Sequence, residues 1–116
     1  MTDLAVTISP EILEEKLEEG RDRKRRIATW NTRRLPKRLA ERGPHRLFVA
    51  SNGFWRGYFP LSDEVLWNPD DAEAAYAMIF DPSGWTEITP TPARRFRGWR
   101  YLDTPPSAPD HADGSS

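Results

Sequence analysis

The stretch HRLFVASNGFWRGYFPL, residues 45–61, decides the fold. Leu47 to Ala50 is a short unbroken apolar run, the pattern of a strand buried on both faces, and Ser51-Asn52-Gly53 after it is a strong turn signal. Asn and Gly tolerate the positive φ that a two-residue hairpin turn demands, so FWRGYFPL must return antiparallel to HRLFVAS. Pro60 has no amide hydrogen to donate, which predicts a sheet edge or the end of that strand.

Upstream, Ser9-Pro10 before EILEEKLEEG predicts a helix capped by Ser9, with Pro10 at its first position and Gly20 as its stop. Ile12, Leu13 and Leu17 form its apolar stripe. From about Arg26 the period becomes two, with Ile27, Thr29 and Asn31 alternating with Ala28, Trp30 and Thr32, the signature of a strand. Leu35-Pro36-KRLAERG reads as a short helix ended by Gly43-Pro44. Downstream, Ser62 to Ala75 is an acidic excursion, Tyr76 to Phe80 a strand, Asp81-Pro82-Ser83-Gly84 a turn, WTEIT a strand, and Phe96 to Leu102 the last strand. Residues 103–116, rich in Pro, Ser and Asp, have nothing to bury and are expected to be disordered.

The chain is therefore one domain, residues 1–102, with a tail. The expected class is α+β: a small, curled antiparallel sheet with an N-terminal helix and a short helix after the first strand. Five Trp, five Phe and three Tyr provide bulk for a core despite 30% charged residues. The absence of cysteine excludes disulfides, thiolate metal sites and cysteine nucleophiles. The first twenty residues have no basic start and no long apolar run, so no secretory signal or membrane span is expected, and a cytoplasmic location follows as the default.

A net charge of −1 conceals strong segregation. Residues 1–20 carry −5, residues 21–46 carry +9, residues 47–93 carry −6, residues 94–102 carry +4, and the tail carries −3. Two basic islands thus stand in an acidic chain, the first beginning with RDRKRR at residues 21–26.

The phrases LEEGRDRKRRIATW, LPKRLAERGPHRLFVASNGFWRGYF and YAMIFDPSGWTEITPTPARRFRGWRYL resemble, over residues 8–102, the PUA-like superfamily, especially its small ASCH and EVE members. The resemblance implies a small curled antiparallel β-barrel with an N-terminal helix and a helical turn after the first strand, and a modified base is the natural ligand if its nucleic-acid surface forms a pocket. The ASCH phrase Gly-x-Lys-x-x-Glu-x-Arg is not matched, since its Lys, Glu and Arg positions hold Asp22, Arg25 and Ile27, so amidohydrolase activity is not carried over.

The residues themselves point to nucleic acid, RNA ahead of DNA. Arg33, Arg34, Lys37, Arg38 and Arg46 in the first island and Arg97 and Arg100 in the second are candidates to neutralise backbone phosphates. Trp30, Trp55 and Trp99, interleaved with those charges, are candidates to stack bases, and Asn31 and Ser51 to read their polar edges. Neither a Walker pattern nor GxGxxG is present, so Gly53, Gly57 and Gly98 are assigned to bends and close approach within the sheet.

Catalytic chemistry is thinly supplied. His45 and His111 have no partner at metal-ligand spacing, and Asp70-Asp71 reads as a solvated loop. No cofactor, metal or catalytic residue is assigned. Two alternatives remain at this stage: a small hydrolase of modified nucleosides using Lys24 with Glu19 or Asp22, and a protein-interaction module that uses the segregated charges.

Overall fold

The computed structural model describes residues 2–21 and 27–106. The RDRKRR run after Arg21, with Asp22 and Lys24, and the tail beyond residue 106, with His111, lie outside the described residues.

Seven strands form one mixed sheet around a single core. They are β1 (Asp3–Thr7), β2 (Ala28–Thr32), β3 (His45–Ser51), β4 (Phe54–Trp67), β5 (Tyr76–Phe80), β6 (Thr86–Pro92) and β7 (Trp99–Tyr101), with one α-helix among the described residues, α1 (Pro10–Arg21). The order is β2-β5-β4-β3-β1-β7, with β6 beside β4. The sheet curls into a half-barrel whose main ladder ends at β2 and β7, with β6 a further edge strand beside β4.

The β3–β4 hairpin forms as its sequence requires. Ser51 pairs with Phe54, and Asn52 and Gly53 both take positive φ, 55° and 85°, as a primed turn needs. β3 is apolar from Leu47 to Ala50 because both of its faces are covered there. Leu47 and Val49 join Leu4, Val6, Phe59, Met78 and Phe80 in the core. Phe48, on the convex face, stacks on Tyr58 with ring centroids 5.0 Å apart.

Several expectations are corrected by contacts distant in sequence. β1 was not foreseen: Leu4, Ala5 and Val6 are fully buried, and β1 runs parallel to β3, so the sheet is mixed rather than antiparallel. The ladder also stops at β2 and β7, which makes it a half-barrel rather than a closed one. Pro60 does not end its strand, since β4 continues to Trp67. The Pro60 carbonyl accepts a hydrogen bond from the Asp81 N–H at 3.0 Å, and N and C=O of one strand residue point the same way. Its hydrogen-free nitrogen therefore faces the 3₁₀ turn Pro82–Gly84 that separates β5 from β6, where no ladder bond is lost.

Helix α1 begins as expected, with Ser9 Oγ accepting from the Ile12 N–H at 3.2 Å. Gly20 is not its stop, because the helix continues through it to Arg21. A Cβ at Gly20 would lie 2.1 Å from the Pro82 carbonyl oxygen, so glycine allows the last turn to seat on the β5–β6 break. Leu13 is buried and Leu17 packs on the core, whereas Ile12 is exposed. The short helix after β2 is a single 3₁₀ turn, Lys37–Ala40.

At the β1–β3 junction, Asp3 and Arg46 form a bidentate ion pair, Nε to Oδ1 and Nη2 to Oδ2, both 2.8 Å. The hydrogen bond to Asp3 raises the Arg46 pKa above its ordinary value, opposed by burial and helped by Tyr58. No described helix is long and apolar enough to cross a membrane.

Candidate nucleic-acid interface

The seam between the two ends of the main ladder, β2 and β7, is bridged by side chains. β2 alternates: Ala28 and Trp30 face the core, while Thr29 and Asn31 face out. Past Thr32 the chain turns toward β7, with the Arg34 N–H donating to Thr32 Oγ1 at 3.4 Å and Pro36 buried behind it. Arg34 then reaches across the gap. Its Nη2 donates to the Trp99 carbonyl at 3.0 Å, and its Cζ lies 4.3 Å from the centroid of the indole.

Two residues along β7 a second arginine covers a ring, here with its backbone N–H as the donor. The Arg38 N–H donates to Tyr101 Oη at 3.0 Å, and its Cζ lies 4.4 Å from the Tyr101 ring. Trp99 and Tyr101 share a face and meet edge-on at 4.9 Å. Two cation–π rungs thus fasten edges that no backbone ladder joins.

A cleft of about 780 Å³ opens beside the first rung. Trp30, Asn31, Thr32, Arg33 and Arg34 line one side, Arg97, Gly98 and Trp99 the other, and Ala72 and Glu73 of the β4–β5 loop overhang it. Gly98 has φ +66°, a turn that brings Arg97 to the rim as Trp99 enters the core. Three guanidinium groups face one carboxylate there. Arg33 Nε lies 3.8 Å from Glu73 Oε2, and both side chains are mostly exposed, which makes that pair weak.

Six sequence candidates therefore meet in one cleft: Trp30, Asn31, Arg33, Arg34, Arg97 and Trp99. The others are elsewhere. Arg100 follows Trp99 on the strand and so faces the convex side, where it lies 5.7 Å from the Phe96 ring, beside which Trp55 also packs. Arg46 is on that convex side too, committed to Asp3 and set against Phe48 and Tyr58. Ser51 is sealed in the sheet, with Oγ buried and unpartnered among the described residues. Lys37 and Arg38 follow the seam on the 3₁₀ turn, outside the cleft lining.

Trp99 itself is only 4% exposed, so its indole supports Arg34 and is not an open stacking surface. Trp30 is half-buried at the cleft wall. Glu73 was missed from the sequence, where it stood as one more charge in an acidic loop.

His45 is structural. Its Nδ1 accepts from the Thr2 N–H at 3.0 Å and its Nε2 donates to the Glu41 carbonyl at 2.9 Å, so both ring nitrogens are engaged. No group of three or more His, Asp or Glu side chains able to hold a metal occurs among the described residues. Asp71 caps its own loop, with Oδ1 accepting from the Glu73 and Ala74 N–H groups at 3.0 and 3.1 Å.

No curated protein and no solved structure matches the chain. The chain belongs to the family described as "Protein of unknown function (DUF1489)", which matches residues 1–116.

Proposed function

We propose that this member of the family binds single-stranded nucleic acid, RNA ahead of DNA, taking one nucleotide into the cleft between β2 and β7. The supporting observation is the meeting of Arg33, Arg34 and Arg97 with Trp30 in a single cleft of nucleotide-binding size. Exposed Arg33 and Arg97 contact phosphate on either side of the nucleotide. Arg34, backed by the Trp99 indole and tied to its carbonyl, offers its outer guanidinium face to a base, and bases stack on such planes. Trp30 supplies an aromatic wall, and Asn31 and Thr32 supply polar groups that can meet a base edge or a 2′-hydroxyl. Lys37 extends the basic track beyond the cleft.

A PUA-like barrel is the finer architectural reading within this proposal, supported by the order of helix, strand, short helical turn and hairpin. The test is fluorescence anisotropy with labelled single-stranded RNA, single-stranded DNA and duplexes across a salt series. Micromolar binding to single strands is expected, with log affinity falling linearly against log salt by about two phosphates' worth. Absence of binding at low salt rejects the function.

A further inference from the structure

A carboxylate is out of place in a cleft that holds a phosphodiester, since it repels the ligand. Yet Glu73 is carried over the seam by a loop built to hold it. The loop closes with the Asn68 N–H donating to the Ala75 carbonyl at 2.7 Å and the Asp71 N–H to the Asn68 carbonyl at 3.3 Å. Asn68 Oδ1 accepts from the Asp70 N–H at 3.1 Å, and Asp71 Oδ1 accepts from the Glu73 N–H itself at 3.0 Å. The backbone that presents Glu73 is thus organised by its own side chains.

The side chain is little committed. Its contact to Arg33 Nε, at 3.8 Å, is longer than a hydrogen bond, and Glu73 is 81% exposed there. A ligand can take its oxygens while Arg33 turns to phosphate. An ionised carboxylate only accepts hydrogen bonds, through two adjacent oxygens. Of the four RNA bases, guanine alone presents two neighbouring donors on its Watson–Crick edge, N1–H and the 2-amino group. Adenine and cytosine offer an amino group beside an acceptor, and uracil offers one N–H between two carbonyls.

From this geometry we infer that the cleft is selective for guanine, with Glu73 as the residue that reads the base. The inference rests on the proposed nucleic-acid function and adds to it the identity of the base. The charge that repels phosphate is then the same charge that recognises the base held between the guanidinium groups.

The test uses the full chain and labelled heptauridylates whose central residue is uridine, adenosine, cytidine, guanosine or inosine. Guanosine is expected to bind about 10-fold tighter than uridine, as one bidentate base contact provides, and inosine, lacking the 2-amino group, to fall between. Glu73→Gln should remove the guanosine preference while all-uridine binding tightens, because a negative charge leaves the cleft. A purely structural role for Glu73 would instead weaken all five oligonucleotides alike, and that result overturns the inference. Equal binding of all five by the wild type also overturns it, while leaving nucleic-acid binding intact. Failure of every oligonucleotide to bind at low salt removes the underlying function as well.

Discussion

Arg34 is joined to Trp99, 65 residues later, by two contacts at once: Nη2 donates to its carbonyl at 3.0 Å, and Cζ lies 4.3 Å from its indole centroid. The first contact satisfies a backbone oxygen on a free sheet edge, and the second covers a buried ring. Arg34 therefore belongs to the fold and to the cleft together.

Arg34→Ala is expected to destabilise the protein by about 1–2 kcal/mol, the sum of a cation–π contact and one hydrogen bond. Arg34→Lys should lose most of the same amount, because an ammonium cannot both stack flat and reach the carbonyl. Urea unfolding followed by tryptophan fluorescence measures both. A lysine variant as stable as wild type would show that charge alone closes the seam.

The Asp3–Arg46 pair bridges neighbouring β1 and β3, and the Asp3 side chain is only 9% exposed. Arg46→Ala leaves a carboxylate with little solvent and should cost about 2–4 kcal/mol. In a double-mutant cycle, Asp3→Ala with Arg46→Ala should cost clearly less than the sum of the single changes. Additive losses would mean that the pair contributes nothing beyond packing.

At Gly57 a Cβ would lie 2.4 Å from the Thr86 carbonyl oxygen and 2.6 Å from the Trp85 ring, so Gly57→Ala must push β6 away from β4. At Gly53 the space is open and only the positive φ resists a side chain. Gly57→Ala should therefore cost about 2 kcal/mol or more, and Gly53→Ala about 1 kcal/mol. Melting temperatures of the two variants rank them, and the reverse order would contradict the close β4–β6 approach.

Charge reversal separates the two faces of the sheet. Arg33→Glu and Arg97→Glu should each weaken single-stranded RNA binding several-fold and reduce the salt slope by about one. Arg100→Glu, on the convex face, should leave both quantities unchanged. An equal loss at Arg100 would move the interface away from the cleft.

What was legible in the sequence was local. The Asn52-Gly53 turn, the Ser9 cap and the strands at residues 45–51 and 76–80 depend on neighbours a few positions away. β1 has no such local signal, because five residues without turn signals become a strand only beside β3, 43 residues later. Gly20 looks like a helix stop in the sequence because its actual role depends on Pro82, a partner distant along the chain. The same division holds at the site. The interleaving of Arg with Trp marked Trp30, Arg33, Arg34, Arg97 and Trp99, whereas Glu73 carries no local mark. Arg46 belongs to the other face through Asp3, a partner invisible until β1 is known.

A seam held by side chains leaves the dimensions of the opening independent of the hydrogen-bonded framework. Exchanging the residue at position 34, which lines the cleft but belongs to no strand, would widen or shut the entrance while every strand kept its register. The aperture can thus change without any change in the scaffold.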